Sequence, residues 1–229
     1  MNDVLEILSY KGFEYYSWGG DNEVNLARRS KLRPLGRGHR LALIDDCVLW
    51  VTSTDILKTM VDCYEGSNPS LATTQVFQLM VSELSQLGAY TSYFTLHPPK
   101  LLPQERLMLV ASLGEEESKR VLEEFDATPL LEPVFAIGIG MGVDNKGYFM
   151  AVVLVHSDGT AAELNVKLLE QQVNQSSTLY TNTKWIDLIE AIEIDSQDLL
   201  TFAKFYGKDI AEVYNEEISW RLMPLLSCK

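Results

Sequence analysis

The sequence predicts an α+β fold in which β-hairpins build mostly antiparallel sheets and helices pack on one face. Three observations support this: β-rich runs pair around short turns, amphipathic helical runs follow them, and a proline-rich stretch separates two loosely similar halves. Five of the eight prolines lie between residues 98 and 133. We therefore predict a first half over 1–97, a connection with one helix over 98–133, and a second half over 134–229.

The first half contains strand signals in three places. The aromatic run 12–18 ends at two glycines, which is typical of a strand closed by a turn. Runs 40–44 and 47–51 flank Asp45-Asp46, and two β-rich runs around two turn-forming residues predict a hairpin. Residues 89–96 return to β character after the intervening helices.

Two helices are predicted between these strands. Apolar residues recur at helical spacing from Ile56, so Thr54 is the expected N-cap and Gly66 the expected end. Ser70 is expected to cap a second helix that ends at Gly88.

The second half repeats the order of strand, turn, strand and helix. Runs 134–141 and 148–156 flank the turn-forming residues 144–147 and predict a hairpin. Residues 192–194 and 200–205 predict another hairpin, preceded by a short turn of helix that begins at Trp185.

Helix starts in the remaining chain carry capping-box spacing, in which a Ser or Thr precedes a Glu by three residues. Ser112 and Glu115 indicate a helix in the connection, and Thr160 and Glu163 indicate one after the 148–156 strand. A last helix is expected to begin after Gly207.

Charge is unevenly distributed along the chain. The net charge is -13 and the isoelectric point is about 4.6, which argues against nucleic acid as a partner because such binding depends on basic side chains. One segment opposes this trend, and its cations are the candidate binding residues for an anionic lipid, an anionic polymer or an acidic protein. An alternative is that they pair with the protein's own carboxylates. These cations are Arg28, Arg29, Lys31, Arg33, Arg37 and Arg40.

The three cysteines are too few for a disulfide framework. Cys47 and Cys63 could face each other and oxidise, or remain small core residues. No run approaches the roughly 18 apolar residues of a membrane span, and the first residues do not open a signal peptide. We therefore expect no transmembrane segment, although a targeting segment could have been removed.

No motif predicts a catalytic residue, a cofactor or a metal. Gly138, Gly140 and Gly142 lack the helix that a dinucleotide-binding loop requires directly after it, so a tightly packed strand is favoured. His156-Ser157-Asp158 contains three triad residue types, but neighbours in sequence cannot converge, and a turn or helix entry is favoured. Asp45-Asp46 and Asp144-Asn145 lack calcium-loop spacing and are expected to be turns.

Several of these structural positions together resemble a known family. They are residues 41–49, Thr52-Ser53-Thr54, Glu65-Gly66, Ser70-Leu71-Ala72 and Phe77. The chain resembles, mainly over residues 12–96, a family of uncharacterised extracytoplasmic bacterial proteins of unknown function that are often tethered as lipoproteins. The resemblance implies a location at the cell envelope and no established activity.

Three functions are consistent with the sequence. The favoured one is a non-enzymatic extracytoplasmic module that binds or scaffolds, using the basic segment and exposed aromatics such as Tyr15, Tyr16 and Trp18. The alternative is a hydrolase-like enzyme for small molecules with a site between the two halves. Such a site would need a pocket that holds at least one His or carboxylate with a shifted pKa. A carrier of lipid or another hydrophobic ligand is a further alternative.

Overall fold

The computed structural model describes residues 5–21, 38–95, 131–177 and 183–211, together with 116, 119, 120, 123, 213, 214 and 226. Its contacts divide the chain into two compact units, Met1–Thr74 and Gln75–Lys229. Antiparallel sheets and helices in both units confirm the predicted α+β class. The similarity of the two halves and the boundaries at 97 and 133 stay predictions.

The first unit is a four-stranded antiparallel sheet with strand order β1-β2-β3-β4. Its strands are β1 (Glu6–Tyr10), β2 (Phe13–Trp18), β3 (His39–Ile44) and β4 (Cys47–Val51). The predicted strand at 12–18 and the predicted hairpin are confirmed, and Asp45 takes the left-handed conformation (φ 50°) that the two-residue turn requires. The sequence reading missed β1.

Helix α1 (Thr54–Tyr64) covers one face of this sheet. Its buried Leu57 and Val61 pack against Tyr15, Ala42 and Ile44, which all point to that face. Such a cluster stabilises the unit because each fully buried aliphatic side chain contributes roughly 1.5–3 kcal/mol.

The ends of α1 differ in part from the prediction. Ser53, in extended conformation, holds the N-cap position, and Thr54 is the first helical residue. The Thr54 N–H is satisfied by Asp21, whose Oδ1 accepts it at 2.7 Å. Gly66 (φ 74°) follows the helix end as predicted. Ser70 caps a 3-10 turn at Leu71–Thr73 instead of the next helix.

The second unit is a five-stranded antiparallel sheet with strand order β5-β6-β7-β9-β8. Its strands are β5 (Ala89–Thr95), β6 (Val134–Asp144), β7 (Gly147–His156), β8 (Ala191–Gln197) and β9 (Leu200–Tyr206). The three predicted hairpin and strand regions of this unit are thereby confirmed. Its helices are α2 (Gln75–Gln86), α3 (Gly159–Gln175) and the short α4 (Trp185–Leu188).

Helices cover both faces of this sheet, whereas helices on one face were expected. Met80 and Leu84 of α2 pack with Phe149, Ala151 and Val153 of β7. Leu169 and Val173 of α3 and Trp185 of α4 pack with the alternate residues of the same strand, which are Met150, Val152 and Leu154. The central strand β7 is therefore buried on both faces, which explains its unbroken apolar sequence.

Three glycines of β6 allow α2 to pack closely on the sheet and β5 to lie close to β6. A Cβ atom at Gly140 would lie 2.6 Å from the Thr91 carbonyl oxygen and 2.7 Å from the Ala89 Cβ. The glycines are followed by a turn and then β7. The packed-strand interpretation is confirmed, and the helix that a dinucleotide-binding loop needs is replaced by a strand.

The N-cap of helix α3 lies two residues before the Thr160 that the predicted capping box named. Asp158 is the N-cap, and its Oδ1 accepts the Ala161 N–H at 2.9 Å. That bond lowers the pKa of the Asp158 carboxyl. The helix-entry role expected for Asp158 is confirmed, and the capping role expected for Thr160 and Glu163 is wrong.

The predicted helix of the connection starts at Ser112 and Glu115, which lie outside the described residues. Residues 116, 119, 120 and 123 are helical. After Gly207, the described residues Ile210 and Val213 are helical and buried.

Candidate functional site

The four-stranded sheet has one face packed on α1 and one face turned to solvent, here called the outer face. Side chains alternate along each strand, so the neighbours of the buried residues point outward. An antiparallel sheet with one solvated face normally carries polar side chains there. Here all four strands present large hydrophobic side chains that are exposed: Ile7, Tyr16, Leu43, Val48 and Trp50.

Strand pairing joins these side chains into one continuous surface. Ile7 lies opposite Tyr16, and Tyr16 lies opposite Leu41 on the next strand. Leu41 in turn lies opposite Trp50, and Leu43 lies opposite Val48. Directly opposed side chains on one face are close enough to touch. The outer face is therefore a single apolar patch that crosses the whole sheet.

An aromatic cluster lies at one end of the outer face. Ring centroids of Trp18 and Trp50 are 5.4 and 5.3 Å from that of His39. Trp50 Nε1 donates to His39 Nδ1 at 2.8 Å. Because an indole N–H can only donate, Nδ1 is the acceptor and a neutral imidazole carries its proton on Nε2. His39 is only 8% exposed, so aromatic surface rather than imidazole faces solvent here.

The three aromatics expected to be exposed do not share one environment. Tyr16 is exposed and Trp18 is half-buried, both on the outer face. Tyr15 is buried under α1, so its predicted exposure is wrong. The alternation of a strand places adjacent residues on opposite faces, so Tyr15 and Tyr16 could not both point outward.

Arg40 is the one described member of the predicted basic site, and it is buried. Its Nη2 lies 2.7 Å from Asp21 Oδ1, and its Nε donates to Thr54 Oγ1 at 3.0 Å. It also donates to the carbonyl oxygens of Trp18 and His39. These bonds tie β3 to the start of α1. Arg40 thus pairs with the protein's own carboxylate, which was the alternative interpretation.

The other five cations lie outside the described residues. Their proposed contact with an anionic partner stays a prediction. These residues are Arg28, Arg29, Lys31, Arg33 and Arg37.

His156 is enclosed within the second unit and has a structural partner on each side. Thr201 Oγ1 donates to the Ala162 carbonyl oxygen at 2.8 Å and so accepts from His156 Nε2 at 2.9 Å. Nδ1 lies 3.5 Å from both the Asn165 amide nitrogen and the Pro133 carbonyl oxygen. The Thr201 bond places a proton on His156 Nε2, and the side chain is 1% exposed.

Lowering the pH is expected to destabilise the second unit through His156. Burial lowers the pKa of His156 below its usual value, so the unfolded chain binds a proton where the folded chain does not. The free energy of unfolding is then at its full value above about pH 6.5 and falls as the pH drops through that value toward the lower folded pKa. Denaturant unfolding of the wild type and of His156→Gln across this range measures the effect.

The variant should lose this part of the pH dependence and keep the rest. His39 and His97 are present in both proteins, so the difference between the two pH profiles belongs to His156. Parallel profiles below about pH 6.5 would contradict a buried neutral imidazole.

The carboxylate of Asp144, at the β6–β7 turn, accepts hydrogen bonds that stabilise the turn and its contact with β9. Asp144 accepts the Lys146 N–H at 2.9 Å, the Lys204 ammonium at 3.0 Å and the Tyr206 hydroxyl at 3.0 Å. The first of these bonds is the main cause of its lowered pKa. Burial and this carboxylate raise the pKa of the Tyr206 hydroxyl. Within the described ranges, no group of three or more His, Cys, Asp or Glu residues could hold a metal ion.

Cys47 and Cys63 are free thiols, with Cys47 exposed and Cys63 half-buried. The Cys63 thiol lies 3.5 Å from the Pro69 carbonyl oxygen. The structure therefore does not join Cys47 and Cys63 in a disulfide.

The outer face is the functional candidate that the sequence reading missed. Its signal was present in runs 41–44 and 47–51, which are apolar at outward positions as well as inward ones. Sheets buried on one face alternate apolar and polar residues, so the missing alternation in Leu43, Val48 and Trp50 was informative.

No helix among the described residues is long and apolar enough to cross a membrane. Comparison with family models, with curated proteins and with solved structures finds no match for this chain. The two antiparallel sheets and their helices define the class of the protein as α+β, and the outer face is its functional candidate.

Proposed function

We propose that this chain is a non-enzymatic binding or scaffolding module that associates with a protein through the outer face. The observation that carries this proposal is the continuous apolar surface across β1 to β4. Soluble proteins seldom expose an apolar patch of this extent unless it meets a partner. Tyr and Trp, which occur at its centre and at one end, are enriched in protein interfaces.

The polar groups weighed as possible catalytic or cation-binding residues have structural roles. His156 is enclosed by Thr201, Asn165 and Pro133. Asp158 caps α3, and Asp144 joins the end of β6 to Lys204 and Tyr206 of β9. These assignments favour binding over the hydrolase-like alternative. The cell-envelope location implied by the family resemblance remains part of the proposal.

Photo-crosslinking tests this function. Benzoylphenylalanine replaces Leu43 on the outer face or, as a control, Ile56 on the exposed side of α1, and each protein is irradiated in an extract of the source organism. We expect a polypeptide adduct that maps to position 43 and is competed by unlabelled wild type but not by Leu43→Lys.

Two outcomes would contradict the proposal. A lipid adduct at position 43 would favour the carrier alternative, and a retained lipid in native mass spectrometry of freshly purified protein would agree with it. Equal labelling at positions 43 and 56 would show that the outer face has no specific partner.

A further inference from the structure

We infer, on the basis of the proposed use of the outer face, that its partner is a second copy of this chain, packed sheet against sheet across a twofold axis. Such an interface is isologous, because each copy contributes the same surface. The shape and the exposed area of the face point to this partner.

The shape of the outer face suits another sheet. Its four strands are antiparallel neighbours from β1 to β4, so the surface is a continuous pleated layer without a helical ridge or groove. Two such layers pack face to face at about 10 Å with interdigitating side chains. A second outer face has the same pleat and the same spacing of side chains.

The exposed apolar area approaches what a stable dimer requires. The side chains Ile7, Tyr16, Leu43, Val48 and Trp50 are between 44% and 65% exposed. At roughly 100 Å² each, they offer about 500 Å² of apolar surface, and a standard interface buries about 800 Å² per partner. The half-buried Trp18 and Leu41 and the polar rim lie within the same layer and supply further area.

Sedimentation equilibrium of the purified full chain tests the inference. We expect the wild type to sediment at twice the 25.8 kDa of one chain. Leu43→Lys should raise the dissociation constant at least tenfold, because a twofold interface contains the substituted side chain twice. Ile56→Lys places the same charge on an exposed apolar residue of α1 and should leave the dimer unchanged.

Circular dichroism shows whether Leu43→Lys folds. If it does not, Val48→Lys, at the position opposite Leu43 on β4, takes its place. A monomeric wild type at about 100 μM would overturn the inference, as would a dimer that resists folded outer-face variants. A monomer that still crosslinks specifically to another protein at position 43 would leave the proposed function standing and remove only the second copy.

Discussion

Replacing Gly140 with alanine is expected to destabilise the second unit by about 1–3 kcal/mol, because the added methyl group has no space. Its Cβ would lie 2.6 Å from the Thr91 carbonyl oxygen, a backbone atom of the paired strand β5. Relief would require β5 to move from β6, which would disturb the pairing of Gly140 with Ser92. Urea unfolding followed by circular dichroism measures the loss.

Gly138→Ala is the matched control, since it lies on the same strand and points to the same face. Its Cβ would lie 3.1 Å from Leu84 Cδ1 and 3.4 Å from ring atoms of Phe94. These atoms belong to side chains, which can shift by a few tenths of an ångström at small cost. We expect Gly138→Ala to change stability by less than about 1 kcal/mol. Equal losses at both positions would show that close backbone approach is not what requires glycine.

The hairpins could be predicted because their determinants are local. Asp45-Asp46 and residues 144–147 supply turn chemistry next to β-rich runs, and the structure places a turn at each. The first strand escaped notice because its pattern is weak: most of β1 is exposed, and its turn consists of Lys11 and Gly12. Both turn residues have positive φ, which indicates the hairpin only when the following strand is already recognised.

Helix starts were predicted less well because more than one residue could accept a hydrogen bond from the free N–H groups of the first helical turn. Capping-box spacing favoured Thr160, yet Asp158 caps the helix from a position that the spacing rule does not examine. At α1 the acceptor comes from Asp21, which is 33 residues away in sequence. A tertiary contact of this kind leaves no periodic signal near the helix.

The candidate site could be predicted only in part because exposure depends on tertiary packing. Apolar runs show that β3 and β4 are strands, but they do not say which face α1 covers. The basic segment was the sequence's strongest charge signal, and its described member, Arg40, turned inward to Asp21. The outer face emerged from the strand register, which sets Leu43 opposite Val48 and Leu41 opposite Trp50.

Replacing Asn165 with alanine is expected to destabilise the second unit by about 2–4 kcal/mol, because two hydrogen bonds are lost in a dry environment. Asn165 is fully buried on α3, and its side chain is paired with one backbone unit. Its Oδ1 accepts the Glu132 N–H at 2.7 Å, and its Nδ2 donates to the Glu132 carbonyl oxygen at 3.1 Å. The pair fixes the chain where it enters β6, and denaturant unfolding measures its contribution.

Asn174→Ala provides the matched control on the same helix. Asn174 is exposed and donates only to the Glu170 carbonyl oxygen within α3, at 2.7 Å, a bond that water can replace. Its loss should change stability by less than about 0.5 kcal/mol. Because both variants remove the same amide from the same helix, a large difference between them isolates the buried contact with Glu132. Similar small losses would mean that the chain before β6 is held by its apolar contacts alone, with Leu131 as the principal anchor in the core of this unit.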